Sequence, residues 1–84
     1  MIKLIKKYEM FVEEQVVLKG DMIRINTQPR KRFMFMCTVT NPENGVQWID
    51  CIELMKGGDG PFRSFRPEQV RLPKGKKRGA AKRV

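Results

Sequence analysis

The sequence has no histidine, a single serine (Ser64), one tryptophan, one tyrosine and two cysteines. Without His, the side chain that most often serves as a general base near neutral pH is missing, and Ser64 has no obvious group to activate it. A zinc site needs about four ligands, usually Cys and His, and Cys37 and Cys51 do not supply them. Two cysteines with no secretory apolar segment argue against a disulfide miniprotein. The opening "MIKLIKKYEM" holds no apolar run long enough for a signal or a membrane span, so a cytoplasmic, reducing location is expected. "KGGDGP" at 56–61 lacks the Gly-Lys-Ser/Thr of a phosphate loop and reads as a flexible hairpin loop. We expect no enzyme, no metal and no cofactor.

What is present is positive charge, unevenly placed. Of 18 cations, seven lie in residues 71–84, "RLPKGKKRGAAKRV", which carry no acid. Residues 1–70 keep 11 cations against 9 acids, a body near +2. A block of like charges repels itself, stays solvated and often serves as an interaction arm. With almost no large apolar side chains, it cannot join a core. The domain is therefore expected over 1–72 and a disordered basic tail over 73–84. About 70 residues is close to the size at which one core barely suffices.

Turn signals cut the body into short, β-rich runs. They fall at Lys19-Gly20-Asp21, at 26–30 around Pro29, at "NPENG" (41–45), at "KGGDGP" and at Pro73. The N-terminal run is ambiguous. Ile2, Ile5, Tyr8 and Val12 fit a helical stripe, whereas Tyr8, Met10 and Val12 fit a strand, which is preferred for 8–12. In the centre, pairing Asn41 with Val46 sets Val39, Cys37, Phe35 and Phe33 against Trp48, Asp50, Ile52 and Leu54 on one sheet face. The opposite face, with Met34, Met36 and Ile49, is more mixed. A one-residue slip segregates apolar from polar side chains less well. The chosen register turns Asp50 towards the core side, where it either sits half wet at the barrel rim or needs a partner, with Arg63 and Arg66 the candidates. Asp50 and Glu53 project to opposite faces and cannot form a carboxylate pair.

"SFRPEQVRLP" places a Pro-led three-residue turn before a short strand. This resembles the end of SH3-like barrels, and "LKGDMIRI" resembles the strand that opens KOW-type and Tudor-type modules. The resemblance implies a small all-β SH3-like barrel of five or six antiparallel strands, with one 3-10 turn before the last. Its strands would be 22–26, the hairpin 33–54, 62–65 and 70–72, and Phe65 would fill the core. Gly45, Trp48-Ile49-Asp50, Arg63-Ser64-Phe65-Arg66-Pro67-Glu68 and Val70, near a basic C-terminus, resemble a group of small actinobacteriophage proteins without assigned function. That similarity implies a phage accessory protein in the host cytoplasm. "FRSFRPEQVRL" is also similar to the end of WYL-type regulatory domains, which implies only a related barrel.

The function that charge favours is nucleic-acid binding through phosphates. The tail offers Lys74, Lys76, Lys77, Arg78, Lys82 and Arg83. The body offers Arg24, the cluster Arg30-Lys31-Arg32, and Arg63 and Arg66. The last two have two possible duties, holding Asp50 and Glu68 or meeting phosphate. The alternative is a protein-interaction module that binds and modulates a host protein through Met34, Met36 and Ile49, since Met-rich surfaces adapt to partners. A membrane partner is disfavoured, because the tail lacks apolar anchors. A monomer or weak dimer is expected.

Overall fold

The computed structural model describes residues 3–73; the tail cations from Lys74 to Arg83 lie outside the described residues. The chain forms β1 (Ile5–Lys7), β2 (Glu9–Val12), β3 (Gln15–Leu18), β4 (Met22–Ile25), β5 (Arg32–Thr40), β6 (Gln47–Met55), β7 (Gly58–Phe65), a 3-10 turn (Pro67–Gln69) and β8 (Val70–Arg71). No α-helix occurs among the described residues. Strands β4 to β7 meander, and β8 returns to pair β4, giving the order β7-β6-β5-β4-β8. This is an SH3-like barrel with its 3-10 turn before the closing strand, as the sequence predicts. Strand β1 and the β2–β3 hairpin are additions to that five-strand path.

The hairpin "NPENG" closes as expected. Asn41 N–H donates to the Val46 carbonyl at 2.9 Å and Gly45 N–H to the Asn41 carbonyl at 2.7 Å. Gly45 takes φ +76°, the left-handed position the turn requires. Val39 then faces Trp48 and Cys37 faces Asp50. Beyond that point the predicted register fails. A bulge between Phe35 and Cys37 leaves Met36 unpaired, so Phe35 faces Cys51 and Phe33 faces Glu53, not Ile52 and Leu54. A bulge adds a residue to one strand and bends it. The bend falls where β5 changes neighbour: Phe33 and Met34 pair with β4, whereas Thr38 to Thr40 pair with β1.

Past the bulge, the slip changes which β6 residues face Phe35 and Phe33. Ile49 and Cys51, assigned by the sequence to the mixed face, are fully buried, and Glu53 occupies the third inward slot at 6% exposure. Ile52 and Leu54 are only half-buried. The core joins Ile23, Ile25, Phe33, Phe35 and Ile49 to Val12 and Val17 of the β2–β3 hairpin and to Val70 of β8. Phe65 packs at its edge, ring against Phe33 at 5.2 Å and 72°, and Leu72 also packs on the core.

One turn differs from expectation. "KGGDGP" is a tight Lys56-Gly57 turn, with Met55 facing Gly58, and β7 begins at once. A second bulge, opposite Ile52 to Leu54, follows. Gly60 lies so close to β6 that a Cβ there would come within 2.8 Å of the Glu53 carbonyl and 2.5 Å of Met55 Cγ. The run 8–12 is a strand, as preferred. It turns into β3 through Glu13 (φ 51°) and Glu14 (φ 68°), two non-glycine residues in the left-handed region.

Candidate nucleic-acid interface

The loop from β4 to β5 carries most of the body's basic cluster. Gln28 N–H donates to the Ile25 carbonyl and Lys31 N–H to the Gln28 carbonyl, two successive turns that fold the loop back on the sheet. Arg24, Arg30, Lys31 and Arg32 thereby line one open groove of about 460 Å³ with Met22, Pro29 and Pro73. No acid lines it. Arg24, Arg30 and Arg32 have no hydrogen-bonded or ionic side-chain partner among the described residues. Pro73 belongs to this groove, and the chain continues from it into the six tail cations.

Arg24 has a neighbour the sequence did not reveal. Strands β4 and β8 set Arg24 directly opposite Arg71. Like charges in a facing cross-strand pair are destabilising. Arg71 turns its guanidinium back onto the Glu68 and Val70 carbonyls at 2.7 and 2.9 Å, which leaves the half-buried Arg24 facing the groove.

Arg63 and Lys31 are engaged elsewhere. Arg63 Nε donates to Glu53 Oε1 at 3.0 Å, and Lys31 Nζ lies 3.3 Å from Glu53 Oε2. The Arg63 hydrogen bond, aided by Lys31, holds the Glu53 carboxyl below its ordinary value, against the opposing effect of burial. The buried carboxylate of this fold is therefore Glu53, and not Asp50. Asp50 is half-buried and accepts the Ser64 hydroxyl at 2.7 Å; neither Arg63 nor Arg66 holds it. Arg66 lies 3.8 Å from Glu68 on the surface, a pair of little energetic weight. Of the duties left open by the sequence, Arg63 is structural through an acid that the sequence did not suggest.

The thiols are poor nucleophiles. Burial, then Asp50 and Glu53, pushes Cys51 up to about 12. Burial and then Asp50 raise Cys37. No cluster of three or more potential metal ligands occurs among the described residues, and no described helix is long and apolar enough to cross a membrane.

Among the described residues, three aromatics are exposed: Phe11 at 74% on β2, Phe62 at 68% on β7 and Tyr8 at 53%. The predicted protein-contact face does not exist as drawn, because Ile49 is buried and Met34 and Met36 are half-buried.

No curated protein and no solved structure matches the chain. A family described as "Domain of unknown function (DUF7246)" matches residues 2–84. The small barrel, its basic groove and the cationic segment that follows it thus fall within one family match, and the chain belongs to the DUF7246 family.

Proposed function

We propose that this chain is a nucleic-acid-binding protein that grips phosphates in the groove of Arg24, Arg30 and Arg32 and along the tail cations Lys74 to Arg83. The observation that carries the reading is the groove itself, with four cations, no acid and Pro73 at its wall. Arg24, left facing the groove by the turn of Arg71 onto backbone carbonyls, supports it. Phosphate contacts of this kind supply affinity without reading sequence.

The test is a titration against DNA and RNA at two salt concentrations. Replacing Arg24, Arg30 and Arg32 together by Ala removes about three phosphate contacts, which lowers the slope of log K against log salt by about 2 to 3. Removing 74–84 weakens binding further and leaves the barrel's melting temperature unchanged. Affinity unaltered by both changes would refute the reading.

A second reading is a protein partner, favoured by the outer face of the β2–β3 hairpin. Phe11 is 74% exposed there, opposite Val16 at 43%. Retention of a lysate protein after nuclease treatment, abolished by Phe11→Ser, supports this reading; loss of all partners on nuclease treatment supports the first.

A further inference from the structure

Three depressions on the surface are linked in sequence by shared lining residues. The basic groove shares Lys31 with a second depression, lined also by Gln28, Glu53, Phe62 and Arg63 where the barrel opens between β7 and the 28–31 loop. The second shares Phe62 with a third, lined by Lys6, Tyr8, Met36, Cys37 and Asp50. Phe62 thus stands as a divider between two hollows. It lies opposite Ile52, on the outward face of the β6–β7 ladder, where the core makes no demand for an aromatic ring. Its placement is fixed by the bulge two residues upstream, which Gly60 permits by lying close against β6. Tyr8 is held from one side by Lys19, whose ammonium lies 5.4 Å from the ring centre. The hollow beyond Phe62 therefore has two exposed rings with Lys6 and Asp50 beside them, and the hollow before it shares Lys31 with the groove of Arg24, Arg30 and Arg32.

We infer that this track binds an extended single strand of nucleic acid, with bases stacked on Phe62 and Tyr8 and the backbone running past Lys6 at one end and Arg24, Arg30 and Arg32 at the other. The inference rests on the nucleic-acid reading above and narrows it to strands whose bases are free. An exposed aromatic ring offers a π-face to an unstacked base, while a duplex keeps its base faces covered. Basic grooves punctuated by aromatic platforms are the arrangement that single strands use. Glu53 serves the track indirectly. By pairing with both Lys31 and Arg63 it offsets part of the positive charge of the middle hollow and so weakens the hold of that hollow on phosphate.

The experiment measures fluorescence anisotropy with oligo-dT and oligo-rU of about 15 nucleotides, and with a duplex of equal length, on the full chain. Phe62→Ala is expected to weaken single-strand binding by about 5- to 150-fold and to leave duplex binding within a factor of about two. Phe62→Trp restores the affinity and Phe62→Leu does not, because Leu keeps the bulk and loses the π-face. The dT and rU arms separate DNA from RNA. Thermal melting of each variant confirms the fold, which an exposed side chain does not support. If Phe62→Ala leaves single-strand affinity unchanged while the triple arginine variant lowers it, the stacking track is refuted and the phosphate groove stands. If the intact chain binds neither form, both fall.

Discussion

Arg63 and Glu53 meet across the β6–β7 ladder at 3.0 Å, and the carboxylate they share with Lys31 is the inward-facing acid of the barrel. The Glu53 carboxylate thereby ties β7, through Arg63, and the β4–β5 loop, through Lys31, to β6. Removing Arg63 leaves the buried carboxylate with Lys31 alone and without its closest hydrogen-bond donor. Arg63→Ala is therefore expected to lower the melting temperature and to leave the salt slope of nucleic-acid binding unchanged, whereas Arg24→Ala lowers the slope. Equal losses of slope in the two variants would place Arg63 among the phosphate ligands.

The same carboxylate sets an acid limit. Glu53 is held below its ordinary value of 4.5 in the folded chain. A depressed carboxylate binds its proton more readily when unfolded, so its contribution is present above the unfolded value and disappears as pH falls through the lower folded one. Glu53→Gln should melt lower at neutral pH and lose less stability than the parent below pH 4.5. Melting curves across this interval that run parallel for the two proteins would contradict the assignment.

The turn between β2 and β3 stores strain. Glu13 and Glu14 both have positive φ, a region that costs an ordinary L-residue about 1 kcal/mol or more and that two-residue hairpins fill with Asn-Gly. Glu14→Gly is expected to raise stability by about 1 kcal/mol. A destabilised Glu14→Gly variant in chemical denaturation would show that the glutamate serves the fold in some other way.

Gly60 allows the opposite experiment. A Cβ there meets the Glu53 carbonyl at 2.8 Å, and backbone cannot move aside as Met55 can. Gly60→Ala is expected to cost about 1 to 3 kcal/mol. Adding Met55→Ala should recover only part of the loss, since the carbonyl clash persists; full recovery would put the whole conflict in the Met55 side chain.

Cys51, pushed up to about 12, and Cys37, also raised, should resist alkylation in the folded protein at pH 8 and react fully once it is unfolded. Mass spectrometry of native and denatured samples decides this, and rapid labelling of Cys51 in the native state would be the contrary result.

Turn chemistry carried most of the fold into view. Asn-Gly at 44–45 and Pro67 announce two connections, and the β-rich runs between them announce the strands. The register of β5 against β6 was readable only from Cys37 to Thr40. Apolar alternation in β5 continues through odd positions on both sides of Met36, so nothing in the pattern marks the residue that the bulge removes from the ladder. That one step set Cys51 against Phe35 and Glu53 against Phe33, and so made Glu53 the buried acid. The basic cluster at 30–32 was legible as charge. Its union with Arg24 and Pro73 required the β4–β8 pairing, a contact between segments more than forty residues apart that local sequence does not encode.

Strand β8 has only two residues, and it performs two tasks at one covalent joint. Val70 plugs the core beside Ile25, and three residues later Pro73 forms part of the groove wall. Any tension on the C-terminal segment, such as that from a polymer gripped by its cations, reaches the barrel first at these two residue pairs. The grip and the closure of the barrel are thus mechanically in series, and the shortest strand is the link that a pulling load tests before any other.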